Sequence, residues 1–184
     1  MRSERAVLTF IVVYTIGFTI YGAVIDSPLT WVYLGLTALL VATFWVFHHF
    51  THFPISLLWL LAVVGLVNLM GGVMLTDDGK PLYAEGMIGP LPFDKVFHAL
   101  AGFALTFIAW HVLVSFAGEG YSLIGLLTMN FLVVMGGGAV VEIAELIGTA
   151  ISNVSVGDYG NNALDLVANA TGALVGCALI YWRS

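Results

Sequence analysis

The sequence predicts an all-α membrane protein, a bundle of six transmembrane helices in a single integral membrane domain over residues 1–184. Two observations predict this fold class. Hydrophobic residues make up 60% of the chain and charged residues only 9%, whereas a soluble domain carries about 25% charged residues. In addition, six apolar stretches are each long enough to cross the hydrocarbon core, which takes about 20 residues. Membrane lipid is therefore the expected neighbour of most of the surface.

The first three predicted spans follow one another closely and cover residues 6–25, 29–50 and 55–75. An Asp-Ser-Pro turn separates the first two. His48 and His49 lie at the end of the second span, and His52 lies between the second and the third. We interpret these histidines as interfacial. A cleaved signal peptide is the competing interpretation of the first stretch, but the apolar core of such a peptide is normally about 7 to 15 residues long. We therefore predict a retained first helix.

The other three predicted spans follow the longest loop, Thr76 to Pro92, whose many Gly and Pro residues argue against regular structure. They cover residues 93–116, 121–150 and 163–182. The fifth stretch is longer than one straight crossing requires, so we expect it to tilt or to project beyond the bilayer. A polar loop over residues 151–162 separates it from the sixth.

The positions of Lys and Arg orient the predicted bundle, because the cytoplasmic flanks of membrane helices carry an excess of these residues. Arg2 and Arg5 precede the first span, and Arg183 follows the last. We therefore predict a multi-pass protein of the cell membrane with both termini in the cytoplasm and the two long polar loops outside. Two lysines fall on the predicted outer side, where acidic residues surround them.

Polar side chains gather at the predicted outer ends of the last three spans. A charge at the bilayer centre costs at least ~2.5 to 3.5 kcal/mol, so acids within membrane segments indicate function. Residues three or four apart share one helix face, and polar faces in a membrane must turn toward one another. We therefore predict one polar cavity at this end of the bundle. Its members are Asp94 and His98 on the fourth span, Glu142 and Glu145 on the fifth, and Asp165 and Asn169 on the sixth.

Helix capping is the competing interpretation for Asp94, and a plain loop position is the competing interpretation for Asp158. Capping fails for Glu142 and Glu145, because acids near the C-terminus of a helix oppose its dipole. Two carboxylates ~5.5 Å apart repel each other by about 3 kcal/mol at an effective dielectric constant near 20. Either a bound divalent cation or protonation of the acids must offset this repulsion.

The first functional hypothesis is a metal-assisted enzyme that acts on a lipid or cell-envelope head group. Carboxylate and imidazole ligands suit Mg, Mn or Zn, and the metal would polarise a substrate oxygen or activate water. The predicted ligands are His98, Glu142, Glu145 and Asp165. The predicted catalytic acids are Glu142, Glu145 and Asp94, and the predicted substrate contacts are Asn169, Lys95 and Asp158.

Two other hypotheses use the same residues differently. The second is a proton-coupled or cation-coupled transporter or binding protein, since acid and histidine chains serve as proton relays in membranes. The third is a structural membrane subunit with an inert polar core. The net charge of −6 does not suggest nucleic acid as a partner, and the single cysteine, Cys177, permits no disulfide within the chain.

Several short motifs resemble one family of bacterial and archaeal membrane proteins, the VanZ-like and YjdF-type proteins. The stretch from Phe93 to His98 followed by Gly102-Phe103 is similar to the first half of their signature, in which Asp-Lys or Asp-Arg precedes His-Phe. The second half is matched by Glu142 with Glu145, the Asp158 loop, and Asp165 through Asn169 to Gly172-Ala173.

The YjdF-type branch is favoured by Asn68 to Gly72 and by Pro81-Leu82-Tyr83. The Gln that VanZ-like proteins commonly carry near the acidic pair is absent here, and Glu145 occupies that region. The resemblance covers residues 68–176. It implies a small polytopic membrane protein, linked on the VanZ-like side to glycopeptide-antibiotic resistance, and it implies no particular reaction.

Overall fold

A computed structural model describes residues 2–27, 29–118, 120–151 and 159–184. Within these residues, six helices are long and apolar enough to cross a membrane, which confirms the predicted all-α membrane class. The chain divides into two compact units, Met1–Asp94 and Lys95–Ser184. The arrangement of all six helices as one bundle stays a prediction.

The first unit contains the first three membrane helices, α1 (Arg2–Val24), α2 (Thr30–Thr51) and α3 (Ile55–Val73). All three pack against one another. Their core contains Tyr14 from α1 with Leu69 and Val73 from α3. The turn between α2 and α3 is tight: His52 adopts a left-handed conformation with a φ of 53° and closes α2, and Pro54 then precedes the first turn of α3.

The loop after α3 is more regular than its composition predicts, and this expectation from the sequence was wrong. It contains a short helix α4 (Leu82–Glu85) and an antiparallel hairpin of β1 (Met87–Ile88) and β2 (Leu91–Pro92). The Gly and Pro residues mark the turns inside this structure, since Gly89, with a φ of 59°, sits between the two strands. A short bond between the side chains of Lys80 and Glu85 raises the pKa of the Lys80 ammonium.

The second unit is built on α5 (Phe93–Phe116), α6 (Leu123–Ile151) and α7 (Tyr159–Arg183). Helix α5 has its predicted bounds and begins two residues before the division between the units, so Asp94 is carried by the same helix as Lys95. Helix α6 has 29 residues and packs along α7. Helix α7 begins four residues earlier than the predicted span at residue 163, which adds Asn161 and Asn162 to its first turn.

Candidate functional site

Lys95 and Asp165 form an ion pair between α5 and α7, with 2.6 Å between Lys95 Nζ and Asp165 Oδ1. The same ammonium donates to the Oδ1 atom of Asn161 at 2.7 Å and to its main-chain oxygen at 3.3 Å. The amide of Asn161 in turn donates to Asp165 Oδ2 at 2.8 Å. An ammonium has three donors, so it can make all three of these bonds. The contacts of Lys95 therefore fit a charge-balancing role, and its predicted contact with substrate stays a prediction.

His98 lies between two carboxylates that come from two other helices. Its Nε2 atom is 3.6 Å from Asp165 Oδ1 on α7, and its Nδ1 atom is 3.6 Å from Glu142 Oε1 on α6. Glu142 also forms a hydrogen bond with α7: the amide of Asn162 donates to the main-chain oxygen of Glu142 at 3.4 Å. The side chains of His98, Glu142 and Asp165 are all buried, with Asp165 at 0% exposure. The structure thus brings together three of the residues that the sequence predicts for the site.

Asn169 of α7 also contacts the imidazole of His98. Its Nδ2 atom lies 3.2 Å from His98 Nδ1, and an amide nitrogen can only donate. In this orientation of the amide, Nδ1 of a neutral His98 is the acceptor and the ring proton is on Nε2, which faces Asp165. The Nδ1 atom also faces Glu142 Oε1.

Glycines let the three helices approach closely just beyond His98 and Asn169. A Cβ atom on Gly172 of α7 would lie 1.9 Å from the main-chain oxygen of Ala99, and a Cβ atom on Gly102 of α5 would lie 2.3 Å from the main-chain oxygen of Asn169. On the α6 side, a Cβ atom on Gly138 would lie 2.9 Å from Asn169 Nδ2. Small residues of this kind are what allow membrane helices to pack closely. These contacts bring α5, α6 and α7 close together beside His98 and Asn169.

The potential metal ligands differ from those predicted. Among the described residues, ligand atoms of Asp94, His98 and Asp165 all lie within 4.8 Å of one another. Asp94 belongs to this group, whereas Glu142 and Glu145 lie outside it. Glu145 is half-buried. Two carboxylates and an imidazole are ligands that suit Mg, Mn or Zn, so the donor set fits such an ion. The ammonium of Lys95 would compete with a metal ion for this site, however, because the ammonium already binds Asp165 Oδ1.

The structure adds Asn161 and Asn162 to the site, which the sequence analysis missed. A signal for Asn161 was available, because it lies four residues before Asp165 and therefore on the same face of a helix. The predicted start of the sixth span at residue 163 hid this relationship. Asp158, predicted to contact substrate, lies outside the described residues.

A second buried polar group lies further along the same three helices. Asn130 of α6 is 0% exposed, and its Nδ2 atom donates to the main-chain oxygen of Thr106 on α5 at 3.2 Å. The same Nδ2 atom lies 3.8 Å from the sulfur of Cys177 on α7. The hydroxyl of Thr106 donates back to Gly102 in its own helix. This group ties the three helices together with neutral hydrogen bonds, and the described residues there carry no charge.

The other polar residues noted in the sequence belong to the first unit. Asn68 on α3 is buried, and its Oδ1 atom accepts a hydrogen bond of 3.0 Å from the hydroxyl of Tyr83. The ring of Tyr83 stacks on that of Tyr33 with 5.7 Å between centroids. His48 lies 3.8 Å from Glu4, and His49 and His52 are exposed, as expected for interfacial residues.

Six apolar helices and a charged network buried among three of them define the class of the protein, an integral membrane protein with a polar site inside its membrane segments. Within that class, the chain belongs to the family described as predicted membrane protein (DUF2238), which it matches over residues 6–184. Comparison with curated proteins and with solved structures gives no significant match.

Proposed function

We propose that this protein binds protons at His98, Glu142 and Asp165, and that it couples protonation to the binding or passage of a ligand through the membrane. One observation carries the proposal: an imidazole lies 3.6 Å from a carboxylate on each side, inside membrane helices. Acid and histidine chains of this kind serve as proton relays in membrane pumps and transporters.

The balance of charges supports a proton at this site. Lys95 offsets the charge of Asp165, and Glu142 Oε1 lies 3.6 Å from His98 Nδ1. Opposite unit charges 4 Å apart attract each other by about 4 kcal/mol at an effective dielectric constant of 20. A proton shared between His98 and Glu142 therefore stabilises the buried pair, either as an imidazolium beside a carboxylate or as a neutral imidazole beside a carboxylic acid.

Burial favours a small ion over a large substrate as the species that enters the site. His98, Glu142 and Asn169 are each at most 6% exposed, so a head group has little surface to contact there. The glycine packing beyond Asn169 separates this site from the buried group at Asn130. Alternating access in a coupled transporter requires a site that communicates with one side of the membrane at a time.

A metal-assisted enzyme acting on a lipid or cell-envelope head group is the second candidate function. The observation that favours it is the proximity of the ligand atoms of Asp94, His98 and Asp165. Bound Mg, Mn or Zn would supply Lewis-acid chemistry, and the remaining acids, Glu142 and Glu145, would transfer protons. The resemblance to VanZ-like and YjdF-type proteins also agrees with a role in the cell envelope.

Infrared difference spectroscopy across a pH titration tests the proposal directly, because a protonated carboxyl group has its own carbonyl band. We expect a buried carboxyl band that disappears in Glu142→Gln. Glu145→Gln is the matched control, since it removes a half-buried acid one helical turn away, and we expect it to keep the band. A spectrum without a titrating buried carboxyl band, together with a stoichiometric divalent metal in the purified protein, would favour the enzyme instead.

A further inference from the structure

The hairpin of β1 and β2 exposes a group of apolar side chains outside the membrane helices. Met87 is 59% exposed, Ile88 48% and Leu91 55%. All three lie between the ends of two candidate spans, Ile55–Val73 and Phe93–Phe116. Exposed apolar residues are ordinary within spans, where lipid covers them. On a polar connection they are unusual. Ile88 and Leu91 are paired across the hairpin and so share one face of it, and an exposed apolar face indicates an interaction surface.

The chain itself determines how far this surface can lie from the membrane. The hairpin ends at Pro92, and the span of α5 begins at the next residue. Its tip at Gly89 and Pro90 is three to four residues from that span, and an extended chain covers at most ~3.3–3.6 Å per residue. The tip is therefore within about 14 Å of the start of the span. Leu91 is only two residues from that span and so within about 7 Å of it, and Ile88 pairs with Leu91. The polar interface of a bilayer is about 5–8 Å thick on each side, so these two residues are within its depth.

The hairpin is held to this position by hydrogen bonds within the first unit. The main-chain nitrogen of Phe93 donates to Gly86 at 2.8 Å, which closes the base of the hairpin. The main-chain nitrogen of Leu82 donates to Met74 at 3.0 Å, which ties the preceding helix α4 to the end of α3. The buried ring of Phe93 packs edge-on against Tyr83. These contacts fix the hairpin to the first turn of α5.

We propose that Ile88 and Leu91, which share one face of the hairpin, insert into the lipid interface and that the hairpin is a membrane anchor for the start of α5. The occupant is the boundary between head groups and acyl chains, where an apolar surface of this kind binds by burial. Charge attraction plays little part, because the loop from Thr76 to Pro92 carries three acids and one lysine. The anchor would hold the start of α5 at a constant depth.

The test places an environment-sensitive fluorophore on single cysteines of the full-length protein in vesicles of zwitterionic lipid. Cys177→Ser provides the background, Ile88→Cys and Leu91→Cys probe the hairpin, and Asp78→Cys is the control on the polar part of the same loop. We expect blue-shifted emission at both hairpin positions and strong quenching by lipids with a spin label near the head group. Quenching from a label near the chain end should be weaker, and position 78 should show neither effect.

Two results would overturn the proposal. One is emission at positions 88 and 91 that matches position 78 and does not respond to the quenching lipids. The other is a blue shift that follows the density of protein in the vesicles and not the quencher, which would assign the surface to contact between copies of the chain. Two independent hairpin positions keep the test valid if one of the variants does not fold.

Discussion

His98 Nδ1 lies 3.6 Å from Glu142 Oε1, and this contact connects α5 with α6 inside the membrane segments. The amide of Asn169 approaches the same nitrogen from α7. Three helices thus meet at one side of a single imidazole, while its other nitrogen faces Asp165. Exchange of one proton at His98 would change the charge balance at all three helices.

Replacing Glu142 by Gln separates proton binding from metal binding. The substitution keeps the shape of the side chain and imitates the protonated acid. If the folded state holds a proton that the unfolded state releases, wild-type stability falls as the pH rises, and Glu142→Gln removes that dependence. The measurement is the melting temperature of both proteins across pH, with and without a chelator, and Glu145→Gln is the control.

A bound metal would give a different pattern in the same experiment. A ligand present at 100 times its Kd stabilises the folded state by about 2.7 kcal/mol. Two results together would contradict the proton proposal. The wild type would lose stability with chelator and regain it with Mg, Mn or Zn, and Asp94→Asn would abolish this response.

Removing the charge of Asp165 should destabilise the second unit strongly. Asp165→Asn removes the carboxylate that lies 2.6 Å from the partly buried ammonium of Lys95, and breaking a buried pair costs about 3–5 kcal/mol. The double variant Lys95→Met with Asp165→Asn should regain part of the loss. Unfolding by denaturant in detergent measures these differences.

The matched control for that experiment is the exposed pair of Lys80 and Glu85. Glu85→Gln should leave stability unchanged within error, because solvent already screens exposed pairs. Equal effects of Asp165→Asn and Glu85→Gln would show that the buried pair contributes no more than a surface one.

Substitution of Gly172 should disrupt the contact between α5 and α7. The added Cβ would lie 1.9 Å from the main-chain oxygen of Ala99, and relieving such overpacking costs about 1–3 kcal/mol or more. Gly137→Ala is the control in the same unit, since nothing lies within 4 Å of its new Cβ and Ala favours a helix over Gly by ~1 kcal/mol. A melting temperature that falls for Gly172→Ala and not for Gly137→Ala is the expected result.

The predicted orientation is open to labelling in intact cells. On the Cys177→Ser background, a cysteine at Asp77 or Asp158 should react with an impermeant reagent, and one at Ser184 should react only after lysis. Labelling of position 184 but not of position 77 in intact cells would reverse the orientation. A reversal would place the polar site at the cytoplasmic side without changing its geometry.

The sequence alone determined the class of the protein and the positions of its membrane helices. Apolar stretches of about 20 residues have no stable alternative to helices in lipid, because every main-chain polar group must be satisfied within the segment. For the same reason, the intramembrane acids Glu142 and Asp165 could be identified as unusual from their positions in the chain.

Only the tertiary structure decided which of these residues touch. The rotation and spacing of three helices decide these contacts. They pair Lys95 with Asp165, place His98 between two carboxylates, and put Asp94 and not Glu145 among the potential metal ligands. Those rotations follow from close contacts at Gly102, Gly138 and Gly172. Helical spacing shows which side chains share a face, but it is the packing of one helix against another that sets the distance between faces.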